Sequence, residues 1–324
     1  MPRSPGNLAN HGGIARAPAV GERIVDRLFR GSTRVLTWLV VVLSVYIIWE
    51  IGGSALPAIR DYGLGFLTGT EWDPNAGKFG VLPQIWGTVY SSFLALFMAG
   101  SVGLIIAIFL TQGFLPAKLE ATFRSIVELL AAVPSVVYGL WGIYVVIPLL
   151  RPAADWLHTE LGWVPFFGTT LSGPGMFPAA LVLAIMVLPT VAAISQDALR
   201  AVPLKMREAV YGMGATRWQA ILKVIVPAAS SSIFGAMVLG LGRALGETMA
   251  LAMLVGNSNQ ISLSLFSPAN TLAASLALNF PEAGVVEAGA LMYSALVLLA
   301  ITLIVNVIGA SIVARSTRRL EGRA

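Results

Sequence analysis

The sequence predicts an all-α, polytopic membrane protein with six transmembrane helices and both termini in the cytoplasm. Three observations carry that expectation. Hydrophobic residues make up 56% of the chain and charged residues only 11%. The apolar residues are gathered into six long blocks, and the basic residues alternate from one side of those blocks to the other.

A hydrocarbon core of about 30 Å takes about 20 apolar residues at a rise of about 1.5 Å each, so block length decides what a stretch can be. Six blocks qualify, near residues 33–56, 86–111, 126–150, 177–196, 232–256 and 288–314. They are continuous apolar runs without the alternation of a barrel wall, which makes them helices. No repeat of 20 to 50 residues is visible. The chain has no cysteine, which removes thiol catalysis, thiolate metal sites and disulfides, and only two histidines, His11 and His158, so no metal cluster is expected.

Taken in order, the first 19 residues are rich in Gly, Pro and Ala without periodicity and predict disorder. No sustained apolar run precedes residue 33, so no cleavable signal peptide is expected and the first helix acts as an uncleaved anchor. Ile24, Val25, Leu28 and Phe29 recur at helical spacing beside Arg23, Arg27 and Arg30, which predicts a short amphipathic helix on the inner leaflet. Residues 57–85 hold Gly63, Gly65, Gly69, Pro74, Gly77, Gly80 and Pro83, and predict external turns rather than another helix.

Orientation follows from the charges. One side would hold Arg3, Arg16, Arg23, Arg27, Arg30, Arg34, Lys118, Arg124, Arg200, Lys205, Arg207, Arg217, Lys223, Arg315, Arg318, Arg319 and Arg323, the other only Arg60, Lys78 and Arg151. Seventeen against three puts the larger set inside. The net charge of +5 therefore reflects topology rather than nucleic-acid binding.

In the third block, Pro134 is expected to kink the helix and free a carbonyl that Ser135, another side chain or water satisfies. Glu128 and Arg124 fall at its inner mouth, as interfacial anchors or as a gate. The connection 197–231 holds more than linking two helices requires. Pro203 favours a helix start, Gly214 can take a positive φ that closes it, and Thr216 can cap the next. Ala209 beside Met206 and Met213, flanked by Glu208 and Arg207, makes a compact apolar knob suited to a groove on another protein.

In the fifth block, Arg243 lies about 16 Å into a helix starting near Ser232, with Glu247 one turn later. Charges at that depth cost about 2.5 to 3.5 kcal/mol each on insertion scales, so they must face protein or water. An i, i+4 spacing places both on one face, but in the weaker order for an intrahelical pair, so partners on other helices are expected. Gly242 and Gly246 form a GxxxG that admits a neighbouring helix. A guanidinium matches phosphate oxygens with forked donors and stays charged; a structural ion pair is the alternative.

The run Glu208-Ala209-Val210, then Gly214, then Val224, Val226 and Pro227, resembles the EAA loop of ABC importer permeases: EAA, three residues, G, nine residues, I-x-L-P. Three positions depart conservatively. The segments from Leu129 through Pro134, Ser135 and Tyr138 to Gly142, from Leu239 through Arg243 and Glu247 to Met249, from Phe79 to Thr88, and Gly256-Asn257 resemble phosphate-transport permeases of the PstC type. The resemblance starts near Phe66.

It implies a coupling helix that docks in an ATPase subunit, through Glu208, Ala209, Gly214 and Pro227. It further implies a PstA-type permease partner, two copies of a PstB-type ATPase and a PstS-type phosphate-binding protein. Arg243 and Glu247 become candidates for the substrate pathway, and Glu128, Pro134 and Ser135 for a gate or kink. No cofactor is expected on this chain; ATP and Mg2+ belong to the partner. The organisation is then a cytoplasmic tail over 1–31, a first helix and external segment over 32–85, a permease core over 86–314 with its coupling loop at 197–231, and a tail over 315–324.

The chain has no GxxxxGK[ST] loop, so ATP hydrolysis is not expected within it. A self-sufficient anion channel or secondary carrier stays open, as does a permease for another oxyanion such as sulfate, because one arginine does not distinguish tetrahedral anions. A membrane enzyme is disfavoured: there is no HExxH, no GxSxG and no pair of carboxylates at one depth.

Overall fold

The computed structural model describes residues 20–321, and it divides into two units, residues up to Glu50 and residues from Ile51. The calls on residues 1–19 and on the last three residues lie outside the described part, as do the side chains of Arg318 and Arg319.

In the first unit the described residues are helical throughout, as the opening part of α1 (Val20–Tyr62). The arginine-bearing stretch and the apolar run are one element, with no break at residue 31. Gly31-Ser32-Thr33 contains no proline, and both hydroxyls fold back onto the Phe29 carbonyl, which leaves the helical ladder intact. Arg30 pairs with Asp26 one turn away at 2.9 Å. Leu36, Trp38, Leu43 and Trp49 are exposed, the behaviour of a helix whose solvent is hydrocarbon.

The second unit begins with the end of α1, which runs through Pro57 to Tyr62, so part of the expected external turn region is helix. α2 (Gly65–Thr68) and an antiparallel hairpin of β1 (Trp72–Asp73) and β2 (Lys78–Phe79) follow, with Trp72 opposite Phe79. Aromatic packing makes this order. Phe66 stacks on Tyr293 with centroids 4.4 Å apart, Phe79 meets Tyr62 and Trp72 edge-on, and the Trp72 indole donates to Glu287 at 3.3 Å.

The body is built from α3 (Leu82–Thr111), α7 (Met176–Arg200), α10 (Val226–Leu245) and α13 (Val285–Glu321). α3 and α7 pack along their lengths because α3 buries a stripe of small residues, Ala95, Ala99, Gly103 and Ala107. α10 approaches α7 at Gly240, where an added Cβ would come within 2.9 Å of Val191. Among the described residues six helices are long and apolar enough to cross a membrane: Arg23–Tyr62, Leu82–Thr111, Ser135–Leu161, Met176–Arg200, Arg217–Leu245 and Val285–Arg315.

Two of those spans correct the sequence boundaries. The third begins at Ser135 rather than near 126, because Pro134 breaks the chain instead of kinking it. α4 (Ala117–Ala132) ends where Val133 and Pro134 turn extended, with ψ of 128° and 142°, and α5 (Ser135–Trp141) starts afresh. Pro134 has no N–H for the Leu130 carbonyl, and the Tyr138 hydroxyl supplies the missing donor at 2.8 Å. A π-turn over Gly142–Val146 leads into α6 (Ile147–Leu161), which carries His158 with Nδ1 2.8 Å from the Phe167 carbonyl oxygen.

The fifth span runs from α9 (Arg217–Ala220) through a π-turn, Ile221–Ile225, into α10 and stops at Leu245. Both π-turns stand directly before a proline pair position, Pro148 and Pro227, and the preceding residue reaches back five positions with its N–H. Such local adjustment lets a membrane helix carry proline without losing its backbone bonds. Past Gly246 come α11 (Met249–Leu254), a long loop and α12 (Leu272–Asn279).

That loop is tied to α3 by buried amides. Gln84 donates to Asn259 and Ser275, Asn270 donates to Asn257 and Asn259, and the Leu272 N–H donates to Thr88. Gly87 lies against this network, and a Cβ there would overlap the Asn270 carbonyl oxygen. Overpacking costs about 1 to 3 kcal/mol, and here the obstacle is backbone. Gly87→Ala is therefore expected to lower the melting temperature of the purified protein by several degrees; an unchanged melting curve would show that the loop yields freely.

Candidate functional site

At the end of the bundle that carries Arg200 and Arg217, the chain forms a projecting elbow. Pro203 starts α8 (Leu204–Gly212) with an extended ψ of 136°, and Gly214 at φ +81° turns the chain. Only glycine takes that conformation without steric cost. Thr216 and Gln219 then form a reciprocal capping box that starts α9. Val210 and Ala220 point inward and are buried.

Two arginines fasten the elbow to the bundle. Arg207 donates to the Leu199 carbonyl, and Arg217 donates to the Gln112 carbonyl while its guanidinium lies 4.1 Å over the Phe114 ring. Trp218 packs on the same ring, with centroids 5.3 Å apart. Left outward are Glu208, Ala209, Leu204, Met206, Tyr211 and Met213, the last 79% exposed. Leu204, Met206, Tyr211 and Met213 are thus exposed large apolar side chains gathered on one short loop. Leu204, Tyr211 and the Phe114 clamp were not foreseen; their roles depend on which helix face turns outward.

Arg243 lies in the last turn of α10, where the helix dipole favours a cation. Its guanidinium donates to the Thr190 hydroxyl at 3.4 Å. Thr190 is 14 residues into the 25-residue α7, about 21 Å from its start, which places Arg243 beside the middle of the bundle. The partner on another helix is as expected, but the shared face with Glu247 is not. α10 ends at Leu245, and Glu247 lies in the break beyond Gly246, where it accepts from the Ala250 N–H at the start of α11. Glycine at 246 lets the chain leave the helix, and no ion pair joins Arg243 to Glu247 among the described residues.

The GxxxG is divided in the same way. Gly242 receives Asn306 of α13, whereas Gly246 ends the helix and meets only its own backbone.

Glu128, placed by sequence at the mouth of the third span, belongs instead to α4, where it pairs with Arg124 at 3.1 Å. Both line a cavity of about 240 Å³ between α4 and α7, together with Thr190, Gln196 and Asp197. An ion pair of Arg200 with Glu120, 3.0 Å, closes α7 onto α4 on the side toward the elbow. Ser135 opens α5 just above this cavity's upper edge in sequence, and Pro134 holds the turn.

Residues 99–322 match the description "Binding-protein-dependent transport system inner membrane component". The chain belongs to this family of transport permeases. The match takes in α4 to α13 and every candidate site residue, and leaves out the hairpin and the whole of the first unit.

Among curated relatives, the phosphate transport system permease protein PstC of Haemophilus influenzae is 39% identical over 88% of this chain and 91% of its own length. The protein of the same name from Pasteurella multocida is 36% identical over 95% of this chain and 98% of its own. Among solved structures, a bacterial alginate ABC transporter superposes with a TM-score of 0.58 at 17% identity, over 90% of this chain and 97% of that one. That likeness speaks to the fold, a six-helix importer permease. The transport permease is thus a multi-pass membrane protein.

Proposed function

We propose that this chain is one permease subunit of an ATP-driven importer that moves inorganic phosphate across a bacterial cytoplasmic membrane. The observation that carries the substrate is the resemblance to phosphate permeases at 36–39% identity across nearly the whole chain. Arg243 agrees with it chemically, since a guanidinium at mid-bundle offers an anion a fixed fork of charged donors.

The elbow supports the coupling role. With seventeen of the basic residues inside, both termini and the elbow face the cytoplasm, where an ATPase subunit would meet them. Glu208, Ala209 and Gly214 dock there, and Pro227 seats the elbow at the foot of α10. The assembly is completed by a PstA-type permease, two PstB-type ATPases that bind ATP and Mg2+, and a PstS-type phosphate-binding protein. This chain contributes no hydrolysis of its own.

Uptake of labelled phosphate into proteoliposomes tests this reading. The assembled complex is expected to accumulate phosphate only with ATP and binding protein, and excess sulfate should leave the rate unchanged. Accumulation of sulfate in place of phosphate would reassign the substrate. Phosphate flux through the lone chain down a gradient would make it a channel or carrier instead.

A further inference from the structure

The cavity between α4 and α7 has no part in the arrangement above, yet it begins where that arrangement ends. Thr190 is both the acceptor for Arg243 and part of the cavity wall. An anion released by Arg243 toward the elbow therefore passes from the Thr190 hydroxyl into a space lined by Arg124, Glu128, Gln196 and Asp197. We propose that this cavity is a second oxyanion station, in which Arg124 receives phosphate after Arg243 and Glu128 keeps its hold weak. The proposal rests on the importer reading.

The chemistry of the lining fits release rather than storage. Arg124 gives its Nε to Glu128, and the structure shows no hydrogen bond from its two terminal nitrogens among the described residues. A guanidinium held at one nitrogen still presents donors for an oxyanion, at a fixed place on α4. About 240 Å³ is far more than the ~10–15 Å³ that admits one water, so a tetrahedral anion enters with part of its hydration.

Around that single cation stand two carboxylates, Glu128 and Asp197, so the lining is negative overall. A route conducts only where binding is strong enough to admit the ion and weak enough to let it go. Among the described residues Arg243 has no carboxylate paired with it, whereas Arg124 has one within 3.1 Å. That difference orders the two stations, from the stronger at mid-bundle to the weaker near the cytoplasm.

The test uses the complete complex in proteoliposomes, with inorganic phosphate as the probe. Arg124→Gln is expected to lower the maximal uptake rate about tenfold or more, the size of a lost charged hydrogen bond, while the KM for phosphate-loaded binding protein stays put. Glu128→Gln is expected to slow uptake for the opposite reason, with more labelled phosphate retained per solubilised complex than in wild type. Wild-type rates in Arg124→Gln would overturn the proposal. So would full recovery in the swapped pair Arg124→Glu with Glu128→Arg, which is the signature of a purely structural bridge. A wild-type complex that moves no phosphate would overturn both this proposal and the importer reading beneath it, whereas normal wild-type uptake with an indifferent Arg124→Gln would sink this proposal alone.

Discussion

Arg243→Gln is expected to abolish phosphate uptake by the assembled complex while the subunits still co-purify. The side chain sits at the end of α10 and donates only to Thr190 among the described residues, so its removal costs little packing. What is lost is a full positive charge and its forked donors beside the middle of α7. A hydrogen bond to a charged group contributes about 1.5 to 3 kcal/mol, which in rate is about tenfold to somewhat over a hundredfold. Arg243→Lys should recover only part of the rate, because an ammonium keeps the charge without the planar fork. Uptake at the wild-type rate in Arg243→Gln would remove the residue from the pathway and leave it a structural role.

Replacing Gly214 by valine is expected to separate ATP hydrolysis from transport: hydrolysis persists, uptake falls by tenfold or more. The backbone there stands at φ +81°, and nothing lies within 4 Å of the place a Cβ would occupy. The penalty is therefore conformational, about 1 to 2 kcal/mol or more for a β-branched residue in the left-handed region, and it is relieved by swinging α8 away from its angle to α9. Glu208→Ala reaches the same end by a different cause. Glu208 is exposed and makes no ion pair among the described residues, so an effect on coupling reports on the partner surface. If both variants import phosphate with the wild-type ratio of ATP hydrolysed to phosphate moved, the elbow is not the coupling element.

The elbow was legible because each of its parts is a local rule. Pro203, Gly214 and Thr216 each act within four residues of themselves, and the structure has them as a helix start, a left-handed turn and a helix cap; the answering Gln219 of the capping box was not foreseen. Arg243 was legible as a group needing a partner, since the cost of a charge in hydrocarbon follows from composition alone. The identity of that partner was not. Thr190 lies 53 residues away, on a helix whose own pattern is plain apolar sequence.

The breaks at Pro134 and Gly246 mark the boundary between the two kinds of knowledge. Hydropathy sees an unbroken apolar run through either position, so it extends one span into 126–134 and another into 246–256. What decides the matter is whether a neighbour satisfies the backbone groups a break exposes. At Pro134 the Tyr138 hydroxyl does so, and at Gly246 the Glu247 carboxylate accepts from the next helix start.

By itself the sequence determined the number of spans and their helical character, because the bilayer imposes length and polarity on each segment separately. Only the tertiary structure decided which helices end early, that Glu247 turns away from Arg243, and that Arg124, Glu128, Thr190 and Asp197 share one cavity. Those outcomes depend on contacts between residues dozens of positions apart, and no local preference encodes such distances.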